Sequence, residues 1–379
     1  MPQFFESTWI KGLEMRNRSV RSATWTGLGD GMGRVTDRAV EFYAELGRGG
    51  IGLIVTGYQY IMTNGQQLPN MIGNYEDGLA EGLGRLAEAV HGAGGRVVPQ
   101  LVHTMARSNP SLFREGDELW GPSGIPEPAD GPVPKEMTKD DIRSFVEAYA
   151  AAAARSKAAG FDGIQLHGAH GYGINQFLSE AWNRRGDSYG GSLSNRYRVL
   201  GEIMEAIRAA VGNDFPVLIK LNGQDFVDGG LTIQESVRIA QRLVDDGMDA
   251  IEVSGGCASS PQDRTPARRK IAKESDEAYL SDLAAAVKSA VTVPVITVGG
   301  IRSLSVANKL IEDRKADYVA MSRPFIREPH LVERWKSGDE SRASCISCNG
   351  CFETGLKGDG ISCKVERVLR EKRGAADPH

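Results

Sequence analysis

Residues 294–323 read PVITVGGIRSLSVANKLIEDRKADYVAMSR. Two short apolar runs, Pro294–Gly300 and Asp317–Arg323, flank an amphipathic stretch, Leu304–Arg314. A strand buried on both faces needs a near-continuous apolar run, whereas a helix lying on a sheet needs only one apolar stripe. The segment therefore reads as a β–α–β unit, and such a crossover joins parallel strands.

The same alternation extends back through the chain. Further strands are expected at Ser19–Thr24, Ile51–Tyr58, Arg96–His103, Gly163–His170, Pro216–Asn222 and Ala250–Gly255. Helical patterns follow at Thr36–Gly47, Asp77–Gly94, Thr138–Gly160, Leu193–Gly212, Thr232–Gly247, Leu280–Val291 and, after the last strand, Pro329–Ser337. Thr138 and Thr232 read as helix N-caps, and Gly94, Gly160, Gly212 and Gly247 as helix stops. Eight β-then-α units predict an α/β protein of (β/α)8 TIM-barrel type, formed as a single domain. An open doubly wound sheet would more often carry G-x-G-x-x-G after its first strand, and none is present. Long loops are expected after strand three (Thr104–Met137) and strand four (Leu178–Ser192), on the face where barrels carry their catalytic residues.

Composition narrows the function. The 379 residues hold 45 Lys and Arg against 49 Asp and Glu, a net charge of −4, which gives no footprint for nucleic acid or an anionic membrane. No apolar run approaches the ~18 residues of a membrane span, and the N-terminus lacks the pattern of a secretory signal. A cytoplasmic location is the expectation, with a homo-oligomer left open.

Polar residues at strand ends mark the site. His167 and His170, with Gly168 and Gly171 to allow a bend, could aim two N–H donors at one carbonyl or nitro oxygen, and Tyr172 offers a proton beside them. No carboxylate follows at a spacing that would support zinc on this pair. Thr24, Gln100, Lys220 and Arg323 also stand where apolar residues would be expected. A lysine inside VLIKLN must meet a ligand, an anion or a paired carboxylate, because an unpaired buried charge costs several kcal/mol, roughly. Gly299 and Gly300, before a helix start, and Arg323, one strand later, suit the phosphate site that such barrels build on their last two loops.

Three stretches then carry a family resemblance: IKGLEMRNRSVRSAT (10–24), GFDGIQLHGAHGYGINQFLSEAWNRRGDSYGGSLSNRYR (160–198) and VGGIRSLSVANKLIEDRKADYVAMSRPFIREP (298–329). They resemble the Old Yellow Enzyme family of FMN-dependent ene-reductases. The resemblance implies an FMN-binding barrel over residues 1–340, with Ser22, Ala23, Thr24, Gly57, Gln100, His167, Lys220, Gly299, Gly300, Ser322 and Arg323 around the cofactor. It further implies that NADH or NADPH reduces FMN and that a small activated alkene, an α,β-unsaturated carbonyl or nitro compound, then takes the hydride. His167 and His170 would grip its oxygen and Tyr172 would supply the proton. Ser22-Ala23, Lys220 and Ser322 depart from the family's more frequent Pro-Met, Arg and Gly.

Four of the five cysteines fall together: Cys345, Cys348, Cys351 and Cys363. This C-terminal Cys-rich segment, residues 341–379, is expected to pack on the barrel. It resembles the iron–sulfur segment of the trimethylamine dehydrogenase and 2,4-dienoyl-CoA reductase group. A [4Fe–4S] cluster, zinc or no metal all remain open. A nucleotide-binding region follows in those relatives; with His379 the last residue, about 16 positions after Cys363, it is expected to be absent here. Two rival functions also stand: a flavin-dependent amine or alicyclic dehydrogenase, and a flavin-free lyase or aldolase using Lys220 as a Schiff base.

Overall fold

The computed structural model describes residues 3–374. Eight parallel strands close into a barrel in sequence order. They are β1 (Ser19–Arg21), β2 (Leu53–Tyr60), β3 (Val97–Val102), β4 (Ile164–Gly168), β5 (Val217–Asn222), β6 (Ala250–Ser254), β7 (Val295–Val298) and β8 (Tyr318–Met321). Closure comes from β8 pairing with β1, Val319 opposite Ser19 and Met321 opposite Arg21. The outer ring is formed by α1 (Asp37–Arg48), α2 (Ala80–Gly92), α3 (Lys139–Ala158), α4 (Leu193–Val211), α5 (Ile233–Asp245), α6 (Ser281–Lys288), α7 (Leu304–Glu312) and α8 (Leu331–Lys336).

The expected (β/α)8 architecture is therefore present, and the predicted helix signals have physical counterparts. Thr138 and Thr232 form capping boxes with Asp141 and Glu235. Gly94, Gly160, Gly212 and Gly247 all adopt positive φ, a conformation that a side chain resists.

Inside the ring, Val20, Leu53, Val55, Val98, Leu218, Ala250, Ile296 and Ala320 pack as one layer. Their lower neighbours Ile10, Leu13 and Met15 come from a hairpin, Thr8–Ile10 paired with Leu13–Met15, that plugs the N-terminal mouth. Each buried Val, Leu, Ile or Met among them is worth about 1.5–3 kcal/mol. The plug closes the bottom, and the large cavity lies at the C-terminal mouth. Sequence reading passed over this hairpin, whose strands are too short to show a period.

Two boundaries also differ. Arg323 does not end a strand: β8 stops at Met321, and Arg323 opens a short helix, Arg323–Arg327. The loop after β6, residues 255–280, is a third long loop on this face, shorter than Thr104–Met137 and longer than Leu178–Ser192. No helix among the described residues is long and apolar enough to cross a membrane.

Candidate active site

A cavity of about 410 Å³ opens at the C-terminal mouth, within the range of small-molecule sites. Its wall includes Ser22, Ala23 and Thr24 after β1, His170 and Tyr172 after β4, Lys220 on β5, Gly299 and Gly300 after β7, and Ser322 and Arg323 after β8. The barrel has thus brought together ten of the residues singled out in sequence. Gly57, Gln100 and His167 do not line this wall. Gly57 is pressed against the segment after β1, where a Cβ would come 2.8 Å from the Thr24 carbonyl oxygen. Gln100 is buried and donates to Gln165 Oε1 at 2.7 Å.

The turn after β4 explains how two histidines three residues apart can converge. His170 (φ 64°) and Gly171 (φ 75°) are both left-handed. The bend thus lies at His170 and Gly171; Gly168 is small for another reason, since a Cβ there would meet Ile219 Cδ1 at 2.9 Å. The His167 and His170 rings meet edge-on at 5.1 Å, and His167 stands 4.7 Å from the Tyr172 ring. His170 Nε2 is hydrogen-bonded to Ser254 Oγ at 2.7 Å. His167 Nδ1 accepts the Ala169 N–H at 3.4 Å, which leaves its proton on Nε2. Burial pushes both imidazoles well below the ordinary histidine range; His170 further lowers His167, and the cations Lys220 and Arg107 act on both. Both rings are therefore neutral, each with one N–H to donate. Tyr172 and Tyr58 both donate to Gln67 Oε1, at 2.8 and 3.1 Å. Burial, and then the neighbouring Tyr172, raise the Tyr58 phenol well above its usual value.

Beneath them lies a buried polar network. Lys220 Nζ is 2.8 Å from Glu252 Oε1 and donates to Ser22 Oγ at 2.7 Å. Ser22 Oγ donates to Glu252 Oε1 at 2.6 Å, and Gln165 Nε2 donates to Glu252 Oε2 at 2.9 Å. Glu252 is fully buried. It is the partner that Lys220 demanded, and the signal was the same: a charge inside an apolar strand, AIEVSG.

The residues present fit an FMN. Four cations line the cavity (Arg107, Lys220, Arg302 and Arg323), and no carboxylate does, as an anionic cofactor requires. The Arg302 Nε is buried without a partner. Gly299 (φ 137°) and Gly300 (φ 71°) form a turn that Cβ atoms would close, since a Cβ on Gly300 would lie 2.8 Å from the Tyr279 ring. Just before α7, the buried Glu277 carboxylate accepts the Arg302 and Ser303 N–H groups at 2.8 and 3.0 Å.

The sequence reading missed several wall residues. Trp25, Tyr58, Leu68, Arg107 and Ser254 reach the cavity, as does the loop after β6 through Cys257, Thr265 and Tyr279. An arginine in the post-β3 insertion, where loops form the catalytic face, was the available signal.

The C-terminal segment touches the same site. Ser347 and Phe352 line the cavity, and the Trp25 indole would meet a Cβ on Gly355 at 2.8 Å. Cys345, Cys348, Cys351 and Cys363 line one small cavity that shares Arg323 with the large one. Burial raises the Cys345 thiol and pushes Cys351 up to about 12. Four thiols around one space are the right donor set for a four-thiolate centre. Among the described residues, however, no three ligands stand at metal-binding geometry.

The NADH:flavin oxidoreductase / NADH oxidase family matches residues 3–342. NADH oxidase of Thermoanaerobacter brockii is 37% identical over 355 residues, 93% of this chain and 54% of the relative. NADPH dehydrogenase of Clostridium acetobutylicum is 33% identical over 332 residues, 87% of this chain and 93% of the relative. The solved structure of 2-naphthoyl-CoA reductase with 2-naphthoyl-CoA is 28% identical, with a TM-score of 0.88 over 95% of this chain and 56% of that one. The chain thus spans about half the length of the first and third of these proteins. Barrel, site and sequence agree that this chain belongs to the NADH:flavin oxidoreductase / NADH oxidase family, the Old Yellow Enzyme group that its strand-four run resembles.

Proposed function

We propose that the chain binds FMN at the barrel mouth and passes hydride from NADH or NADPH to the activated C=C of a small unsaturated carbonyl or nitro compound. The observation that carries this reading is the wall itself: four cations, a neutral imidazole and a phenol converge on it, and no carboxylate does. That wall suits an anionic cofactor and an electron-rich acceptor oxygen. It does not suit an ammonium substrate, which counts against the amine dehydrogenase reading. The engagement of Lys220 by Glu252 and Ser22 counts against a Schiff base.

FMN, when bound, would supply the two-electron carrier. Gly299, Gly300, Ser322 and Arg323 would hold its phosphate, while Ser22, Ala23, Thr24 and Lys220 would line its ring, with Gln100 and Gly57 behind them. His170 on the wall, with His167 packed edge-on behind it and both kept neutral by burial, would donate an N–H bond to the acceptor oxygen as charge develops there. Tyr172, whose hydroxyl rests on Gln67, would turn to the substrate and deliver the proton to the α-carbon. We propose a [4Fe–4S] cluster for the four clustered cysteines, with zinc or no metal as the alternatives, on an extension over residues 341–379 that packs against the barrel. Analysis of anaerobically purified protein for iron, zinc and acid-labile sulfide decides between them.

The functional test is stopped-flow absorbance. The purified protein should be yellow, be bleached by NADH or NADPH, and regain colour on mixing with 2-cyclohexenone under anaerobic conditions. Bleaching by amines, without reoxidation by any activated alkene, overturns the proposal.

A further inference from the structure

Arg107 closes a short turn, Met105–Arg107, in the loop after β3. Its side chain lines the cavity beside His170 and Tyr172. Nη1 donates to the His170 carbonyl at 2.7 Å, and the guanidinium lies 4.6 Å from the Tyr172 ring centroid. Nε is buried without a partner. Nη2 is neither buried nor bonded. Among the described residues no carboxylate pairs with this guanidinium. Arg185, Arg196 and Arg208 pair with Asp187, Glu235 and Asp249, while the buried Arg21 and Arg302 each donate to two backbone carbonyls; Arg107 donates to one and faces the cavity.

An uncompensated, partly desolvated guanidinium asks for an anion. The phosphate of a cofactor is not that anion. The glycine turn and Arg323 that would hold it follow β7 and β8, and in a ring of eight strands β3 stands opposite β7. Arg107 is instead on the side of the proposed hydride acceptor, next to His170 and Tyr172.

We propose that Arg107 binds a carboxylate carried by the substrate, so that the preferred alkenes are unsaturated keto acids rather than neutral enones. The inference rests on the function proposed above and narrows it. His170 holds the activating carbonyl while Arg107 fixes the acid group, and together they set the orientation of the double bond.

The test compares 4-oxopent-2-enoate with its primary amide, which has the same shape without the charge, and uses 2-cyclohexenone as a reference alkene. The native enzyme should favour the acid by about tenfold or more in kcat/KM, expressed mainly in KM. Arg107→Met should abolish that preference, and Arg107→Lys should restore part of it. Binding of the saturated acid 4-oxopentanoate, followed by its perturbation of the flavin spectrum, should weaken in parallel. Equal losses for acid and amide would mean that Arg107 only braces His170 and Tyr172, and would overturn the proposal. So would a native enzyme that is indifferent to the charge. Failure of 2-cyclohexenone together with both test compounds would instead strike the parent function; 4-oxopentanoate binding then judges Arg107 alone.

Discussion

Substituting Glu252 by Gln should be among the most damaging single changes in the barrel. The carboxylate is fully buried, 2.8 Å from Lys220 Nζ, and holds Ser22 and Gln165 as well. At that distance the gross attraction is about 6 kcal/mol for an effective dielectric near 20. The net effect differs, because the amide leaves an uncompensated ammonium inside the ring, and breaking one side of such a pair costs about 3–5 kcal/mol. Unfolding entropy of about 2.1 cal/mol/K per residue gives roughly 0.8 kcal/mol/K for this chain, so Tm should fall by about 4–6 °C. Lys220→Met in the same chain removes the stranded charge and should recover most of the loss. The assay is thermal unfolding by circular dichroism of the single and double variants, apo and FMN-saturated. A shift below about 1 °C for Glu252→Gln, or a double variant worse than the sum of the singles, refutes the reasoning.

Three further outcomes can be checked. Tyr172→Phe should slow alkene reduction by about 10²–10⁴-fold while leaving reduction by the nicotinamide near its native rate, since only the first needs the proton; stopped-flow traces of the two half-reactions decide it. Arg323→Ala should weaken FMN binding by about 10–100-fold, the worth of a charged hydrogen bond, read by fluorescence of released flavin. His103 is buried between Asn64 and the Met105 N–H, and burial pushes it down to about 3. Below pH ~6.5 the unfolded chain takes up a proton there that the folded chain refuses, so stability is lost as pH falls from 6.5 toward 3, by about 1.4 kcal/mol per pH unit. His103→Gln should flatten that slope in denaturant titrations.

Much of this was legible in order along the chain. Helix ends were readable because caps are local: Thr138 needs only Asp141, and Gly160 needs only its own φ. The glycine turn at 299–300 and the lysine in β5 were readable because each violates the pattern around it. The Glu277 carboxylate in front of α7 was not readable, since it reaches the Arg302 N–H from 25 residues away. His170 could be named, but its left-handed backbone could not, because glycines on either side drew attention to themselves.

By itself the sequence determined the fold class, since eight apolar runs separated by amphipathic stretches call for a parallel sheet covered by helices on the outside, and eight β-then-α units without G-x-G-x-x-G favour the closed ring over the open sheet. It also fixed which residue types stand at strand ends. Only the tertiary structure decided which of them meet. Lys220 and Glu252 are 32 positions apart, Arg107 and His170 63, yet ring closure places both pairs within hydrogen-bonding reach. Pairings of that kind follow from strand register and barrel stagger, which no local window of sequence contains.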